Sequence, residues 1–152
     1  MNFKRIIALA VVLTTLVSCT PNNNESQSSP PVEMTKISTN NNEINQDQSN
    51  RAKNILSKND NVTHVYAVNT KDTLVIAIKV RHMKRLRLQK IKQELTKKMK
   101  KEFPKMDVQL STDEKIVIEL EKLEKKLETT SISKKELKNR LQSIIDLSKE
   151  ET

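Results

Sequence analysis

The side chains here that could do chemistry are few: two histidines, one cysteine, one adjacent pair of carboxylates near a helix start, and a dense run of cations. His64 and His82 have no second histidine, cysteine or close carboxylate cluster at metal-ligand spacing, so both read as structural or surface residues rather than zinc ligands. Asp113 and Glu114 stand where a helix is expected to begin, and the positive end of a helix favours negative charge without any catalytic demand. Serines are numerous, but they lack a candidate base with an orienting partner. The 152 residues include no glycine, which argues against phosphate-cradling loops and nucleophile elbows, because their backbones need it. Beyond the N-terminal leader only Tyr66 and Phe103 are aromatic, which argues against stacking platforms for single-stranded nucleic acid or sugars. No enzyme constellation emerges, and neither a metal nor a cofactor is expected.

The cysteine has a different chemistry. Lys4 and Arg5 precede the uncharged run Ile6 to Val17, the charged-then-apolar plan of a secretory signal. As a helix that run would span roughly 18 Å against a hydrocarbon core of ~30 Å, too short for a permanent membrane span. Leu16-Val17-Ser18-Cys19 resembles the lipobox of bacterial lipoproteins. That resemblance implies that the Cys19 thiol accepts a diacylglyceryl group and that cleavage removes residues 1–18. Cys19 is the only cysteine, so an exported chain has no disulfide to make with it.

The cations run from Lys79 to Lys105, twelve of them against Glu94 and Glu102. The net +10 of that stretch equals the net charge of the whole segment from residue 49 onward. A basic patch of this size commonly meets nucleic acid. Export redirects it, because an outward-facing lipoprotein first meets anionic lipid and anionic wall polymer. The candidate residues for an anionic partner are Lys84, Arg85, Arg87, Lys90, Lys97, Lys98, Lys100 and Lys101, on a basic helix over 84–102. The alternative is a solvated face kept basic for solubility.

The elements that would position these groups follow from periodicity. Residues 20–48 are dominated by Asn, Ser, Gln and Pro; Val32, Met34, Ile37 and Ile44 look too sparse to build a packed face, and the stretch reads as a tether after Cys19. Residues 49–58 read as a short helix capped by Ser49 or Asn50. Val62 to Val68 and Thr73 to Val80, joined by residues 69–72, read as a hairpin; the second run should be the best-buried strand, with Leu74, Ile76, Ile78 and Val80 on one face. Met83 to about Glu102 reads as one long helix with the stripe Leu88, Ile91, Leu95 and Met99, ended by Pro104. Met106 to Ser111 alternates as a third, half-exposed strand. A helix over 114–128 and another opened by a capping box from Ser133 to Glu136 follow; the pattern leaves open whether they pack on the sheet, on each other or on a partner. The expected fold class is α+β: an α-β-β-α-β sandwich over 49–112, a three-stranded sheet with helices on one face, followed by two C-terminal helices over 113–152.

The lipobox ending at Cys19, the polar tether, the hairpin, the basic helix running into Phe103-Pro104, and Val108 to Asp113 leading into a helix together resemble the YhcN/YlaJ family of sporulation lipoproteins of Bacillus-type spore-formers. The resemblance covers about residues 51–128 and, more loosely, the last helix. It implies a protein anchored on the extracytoplasmic face of the cell membrane, or in the spore inner membrane or envelope. The implied role lies in spore formation, germination or outgrowth, without an established catalytic activity. The α-β-β-α-β order is also similar to ring-building modules of sporulation assemblies, which implies protein contacts. The reading is a non-catalytic interaction module with envelope or spore proteins, anionic lipid or anionic polymer as partners. Nucleic acid is not the expected partner, and the oligomeric state stays open.

Overall fold

A computed structural model describes residues 31–38 and 44–150. The elements are α1 (Asp47–Leu56), β1 (Val62–Asn69), β2 (Thr73–Val80), a 3-10 turn (His82–Arg87), α2 (Leu88–Glu102), β3 (Asp107–Ser111), α3 (Glu114–Thr129) and α4 (Lys134–Glu150). The class is α+β, with the two C-terminal helices in place. The sheet order is β1-β2-β3; β1 and β2 are antiparallel, and β2 and β3, joined through α2, are parallel.

β2 is the central strand, and Leu74 to Ile78 are buried without interruption. Its side chains alternate between two cores, as a period of two requires. Leu74, Ile76 and Ile78 face α1 and α2, packing with Ala52, Leu56, Ile91, Leu95, Met99 and Phe103. Val75 and Ala77 face the C-terminal helices, packing with Ile116, Val117, Leu120, Leu141 and Ile144. The C-terminal helices therefore cover the second face of the sheet and finish a three-layer sandwich. A register irregularity between Val62 and His64 is what lets Val62, Val65 and Ala67 share the first core, since strict alternation would send Val62 to the other face.

Two helix starts and one helix cap differ from the sequence expectation. The first helix starts at Asp47, with Ser49 buried inside it. Its early amides are served from elsewhere: the Ser49 N–H donates to Asn69 Oδ1 at 2.9 Å, and the Asp47 N–H to Asn45 Oδ1 at 2.7 Å. The long basic helix is broken, because residues 82–87 form a 3-10 turn with no buried residue and α2 begins only at Leu88. The capping box of α4 is half formed: the Glu136 N–H donates to Ser133 Oγ at 3.1 Å, but the Glu136 carboxylate binds Lys126 and Arg140. Asp113 does cap α3, its carboxylate accepting from the Lys115 and Ile116 amides.

The second half of the expected tether also departs from the sequence reading. Residues 31–38 form a strap along the outer edge of β1: the Glu33 N–H donates to Thr63 O, and the Val65 N–H to Glu33 O. Asn50 of α1 clamps Ile37 through both of its backbone groups. Ile37 and Ile44 are buried in the core beneath α3 and α4. Their sparseness misled because they complete an apolar face built by other elements and need none of their own. No described residue has a positive φ, so these turns close without the backbone geometry for which glycine is usually recruited.

Candidate functional site

All eight cationic residues expected to meet an anionic partner are exposed, and they fall in two groups along the chain. Lys84, Arg85 and Arg87 lie in the 3-10 turn and Lys90 in the first turn of α2, while Lys97, Lys98, Lys100 and Lys101 lie near its other end. Seven residues of helix separate Lys90 from Lys97 by roughly 10 Å, little more than the screening length of ~8 Å at physiological salt. The far cluster has a local explanation. Lys100 and Lys101 occupy the last turn, where cations complement the helix dipole. Arg51 of α1 reaches across, binding Glu102 at 3.1 Å and lying 5.2 Å from the centre of the Phe103 ring.

The near cluster contains residues that sequence periodicity had assigned to a helix. Met83 is 90% exposed and Leu86 101%. A 3-10 turn has three residues per turn, so positions i and i+3 align. Met83 and Leu86 therefore form one apolar ridge, flanked by Lys84 and Arg87 on one side and His82 and Arg85 on the other. The base of the turn is held, the Arg81 N–H donating to Asn61 O at 2.9 Å and Arg81 Nε to Asp60 O at 2.6 Å. A signal was present in the sequence: on a helix continued backwards from α2, Leu86 would fall opposite the Leu88, Ile91, Leu95, Met99 stripe.

A second unforeseen cluster is buried at the edge of β1. Lys53 Nζ, on α1, lies 2.6 Å from Glu124 Oε1, on α3, with side chains 0% and 4% exposed. Lys53 also donates to Thr35 O of the strap at 2.6 Å. The same Glu124 oxygen accepts the Ala67 N–H of β1 at 2.6 Å, so one ion pair ties together the strap, the edge strand and the helices on both faces of the sheet. Burial pushes the Glu124 carboxyl up to about 7, against the opposing pull of Lys53 and the Ala67 amide. Burial likewise lowers Lys53, the carboxylate of Glu124 partly offsetting it. Glu128, one turn further along α3, adds negative charge that raises both.

The remaining candidates are dispersed. His64 pairs with Glu33 at 2.9 Å and touches Thr63, while His82 lies exposed in the turn. A cleft of about 640 Å³ between the hairpin turn and α4 is walled by charges of both signs, Asp47 and Asp72 against Lys71, Lys134 and Lys138; this mixture selects no class of ligand. Cys19 lies outside the described residues. Among the described residues no helix is long and apolar enough to cross a membrane.

No curated protein and no solved structure matches the chain. The family described as sporulation lipoprotein YhcN/YlaJ matches residues 18–145, from the residue before Cys19 to the middle of α4, and so takes in the strap, the whole sheet and both helical layers. The chain belongs to the YhcN/YlaJ family of sporulation lipoproteins.

Proposed function

We propose that the chain is acylated at Cys19, held on the extracytoplasmic face of the membrane, and acts there as a non-catalytic interaction or structural module during spore formation, germination or outgrowth. The observation that carries this reading is the family match over residues 18–145. It begins beside the only cysteine of the chain and continues through the folded domain. Two acyl chains hold a protein on a bilayer stably, whereas one is marginal, so a diacylglyceryl group on Cys19 would account for attachment by itself. The folded part is then free to make contacts. Its buried charges serve that folded part: Glu124 and Lys53 satisfy each other and neighbouring backbone groups, which supports a structural role for them. A second reading, a binder of anionic envelope polymer or lipid head groups, is supported by the exposure of all eight candidate cations.

The test is a Cys19→Ser chain expressed in a spore-forming host that lacks the native copy. The expected result is loss of fatty-acid labelling, loss from the membrane fraction, and failure to restore normal spore formation or germination. Continued lipid labelling would remove Cys19 as the acceptor, and full restoration by an unanchored chain would remove the membrane from the function.

A further inference from the structure

We propose that the 3-10 turn His82–Arg87 is a lipid-docking ridge, which seats Met83 and Leu86 at the boundary between head groups and acyl chains of an anionic bilayer. The proposal rests on the membrane anchoring given above and adds the surface by which the folded domain meets that membrane. Soluble domains expose single apolar residues routinely, so one exposed leucine carries no meaning. Here two large apolar side chains stand 90% and 101% exposed and aligned by the 3-10 repeat. The next most exposed large apolar side chain of the described residues, Ile118, reaches only 41%.

The surroundings identify the occupant. Lys84, Arg85 and Arg87 flank the ridge, and no acidic residue occurs anywhere from Thr73 to Gln93. Apolar residues at the acyl boundary with cations at head-group level are the plan of interfacial membrane segments, and basic residues beside a membrane are drawn to anionic lipid within a Debye length. The two hydrogen bonds that hold Arg81 to the loop at Asp60 and Asn61 fix the base of the ridge, which limits the ordering cost of docking.

Reach favours the same occupant. The strap fixes residues 31–38 to the domain, so no more than residues 20–30 lie between Cys19 and the strap, a span that cannot exceed about 40 Å. An anchored domain on so short a leash meets the bilayer at high effective concentration, and a ridge of two side chains suffices to orient it.

The test uses the full acylated chain. With the thiol of Cys19 consumed by lipid, Leu86→Cys supplies a single labelling site, and Lys122→Cys, on the exposed face of α3 with its side chain 67% exposed, supplies a control. Each is labelled with a small fluorophore and reconstituted into vesicles of phosphatidylglycerol and phosphatidylcholine, or of phosphatidylcholine alone. Aqueous quenching at position 86 is expected to fall severalfold below that at position 122 in the anionic vesicles. The difference is expected to disappear when Lys84, Arg85 and Arg87 are replaced by Glu. Equal aqueous quenching at 86 and 122 would overturn the proposal and leave a protein or polymer partner for the ridge. Protection that survives charge reversal would overturn the anionic-lipid assignment. Flotation with the vesicles reports the acyl anchor independently, so the anchor and the ridge can fail separately.

Discussion

Two regions of this protein invert the usual placement of side chains. At the edge of β1 a lysine and a glutamate are buried, while after β2 a methionine and a leucine stand in solvent. The first inversion is explained from within the chain. The outward-facing amides of β1 at Val65, Ala67 and Asn69 are taken by Glu33 O, Glu124 Oε1 and Gln46 Oε1 respectively, so the charged pair helps close a sheet edge that would otherwise present open donors. The second inversion has no such internal account. No residue of the turn is buried, and its two large apolar side chains stand 90% and 101% exposed. The contrast teaches that a misplaced residue with partners belongs to the fold, whereas a misplaced residue without them points outside it.

The sharpest way to break this contrast is to remove one member of the buried pair. Glu124→Leu leaves the Lys53 ammonium buried without its partner and the Ala67 N–H without an acceptor. The expected loss is about 3–5 kcal/mol, measured by urea unfolding at pH 8. Lys53→Met/Glu124→Leu removes both charges but still strands the Ala67 N–H and Thr35 O, and should cost about 1–3 kcal/mol. A double variant that is no better than the single would mean that the two charges do not compensate each other.

A somewhat smaller effect should appear in the pH dependence. The Glu124 carboxyl is raised from an ordinary 4.5 to about 7 by burial, with Lys53 from α1, Glu128 from α3 and the Ala67 amide of β1 as its neighbours. Between those two values the folded state holds a proton that the unfolded state has released. Stability from this group is therefore fully present below about pH 4.5 and lost as pH rises through about 7, a loss on the order of 3 kcal/mol. Lys53 acts in the opposite sense at alkaline pH: its pKa is lowered from 10.5 by burial, so the folded state releases that proton first and stability recovers towards pH 10.5. The wild-type chain should thus show a dip above neutrality that Lys53→Met/Glu124→Leu lacks. Parallel curves for the two would show that the pair does not titrate as a buried unit.

Where pattern and burial share a period, the sequence was readable. The stripe of α2 buries Ile91, Leu95 and Met99, and the alternation in β2 places its two sets of side chains in two cores. The strap was not readable, because Ile37 and Ile44 join an apolar face whose other members lie many residues away in α3 and α4. The buried pair left a trace that periodicity alone undervalued: Lys53 sits between Ala52 and Leu56, and Glu124 between Leu123 and Leu127, both at core-facing positions. A charge on an apolar stripe is an instruction to look for its opposite on another stripe. The exposed ridge left a trace too, since Leu86 falls out of phase with the helix that follows. Cations on both sides made the whole run resemble one continuous basic helix.

The smallest expected effect is the one that sharpens the comparison most. Met83 and Met99 are the same residue type, 90% and 0% exposed. Met99→Ala should cost about 2–5 kcal/mol, because it opens a cavity between α2 and the sheet. Met83→Ser/Leu86→Ser should change unfolding free energy by no more than about 0.5 kcal/mol, the range usual for surface positions. A near-zero result means that these two apolar side chains are kept in water at no benefit to the folded chain, which is what a surface reserved for a membrane requires. A loss above about 1 kcal/mol would instead place the ridge among the interactions that hold the fold, and the difference between the two regions would vanish.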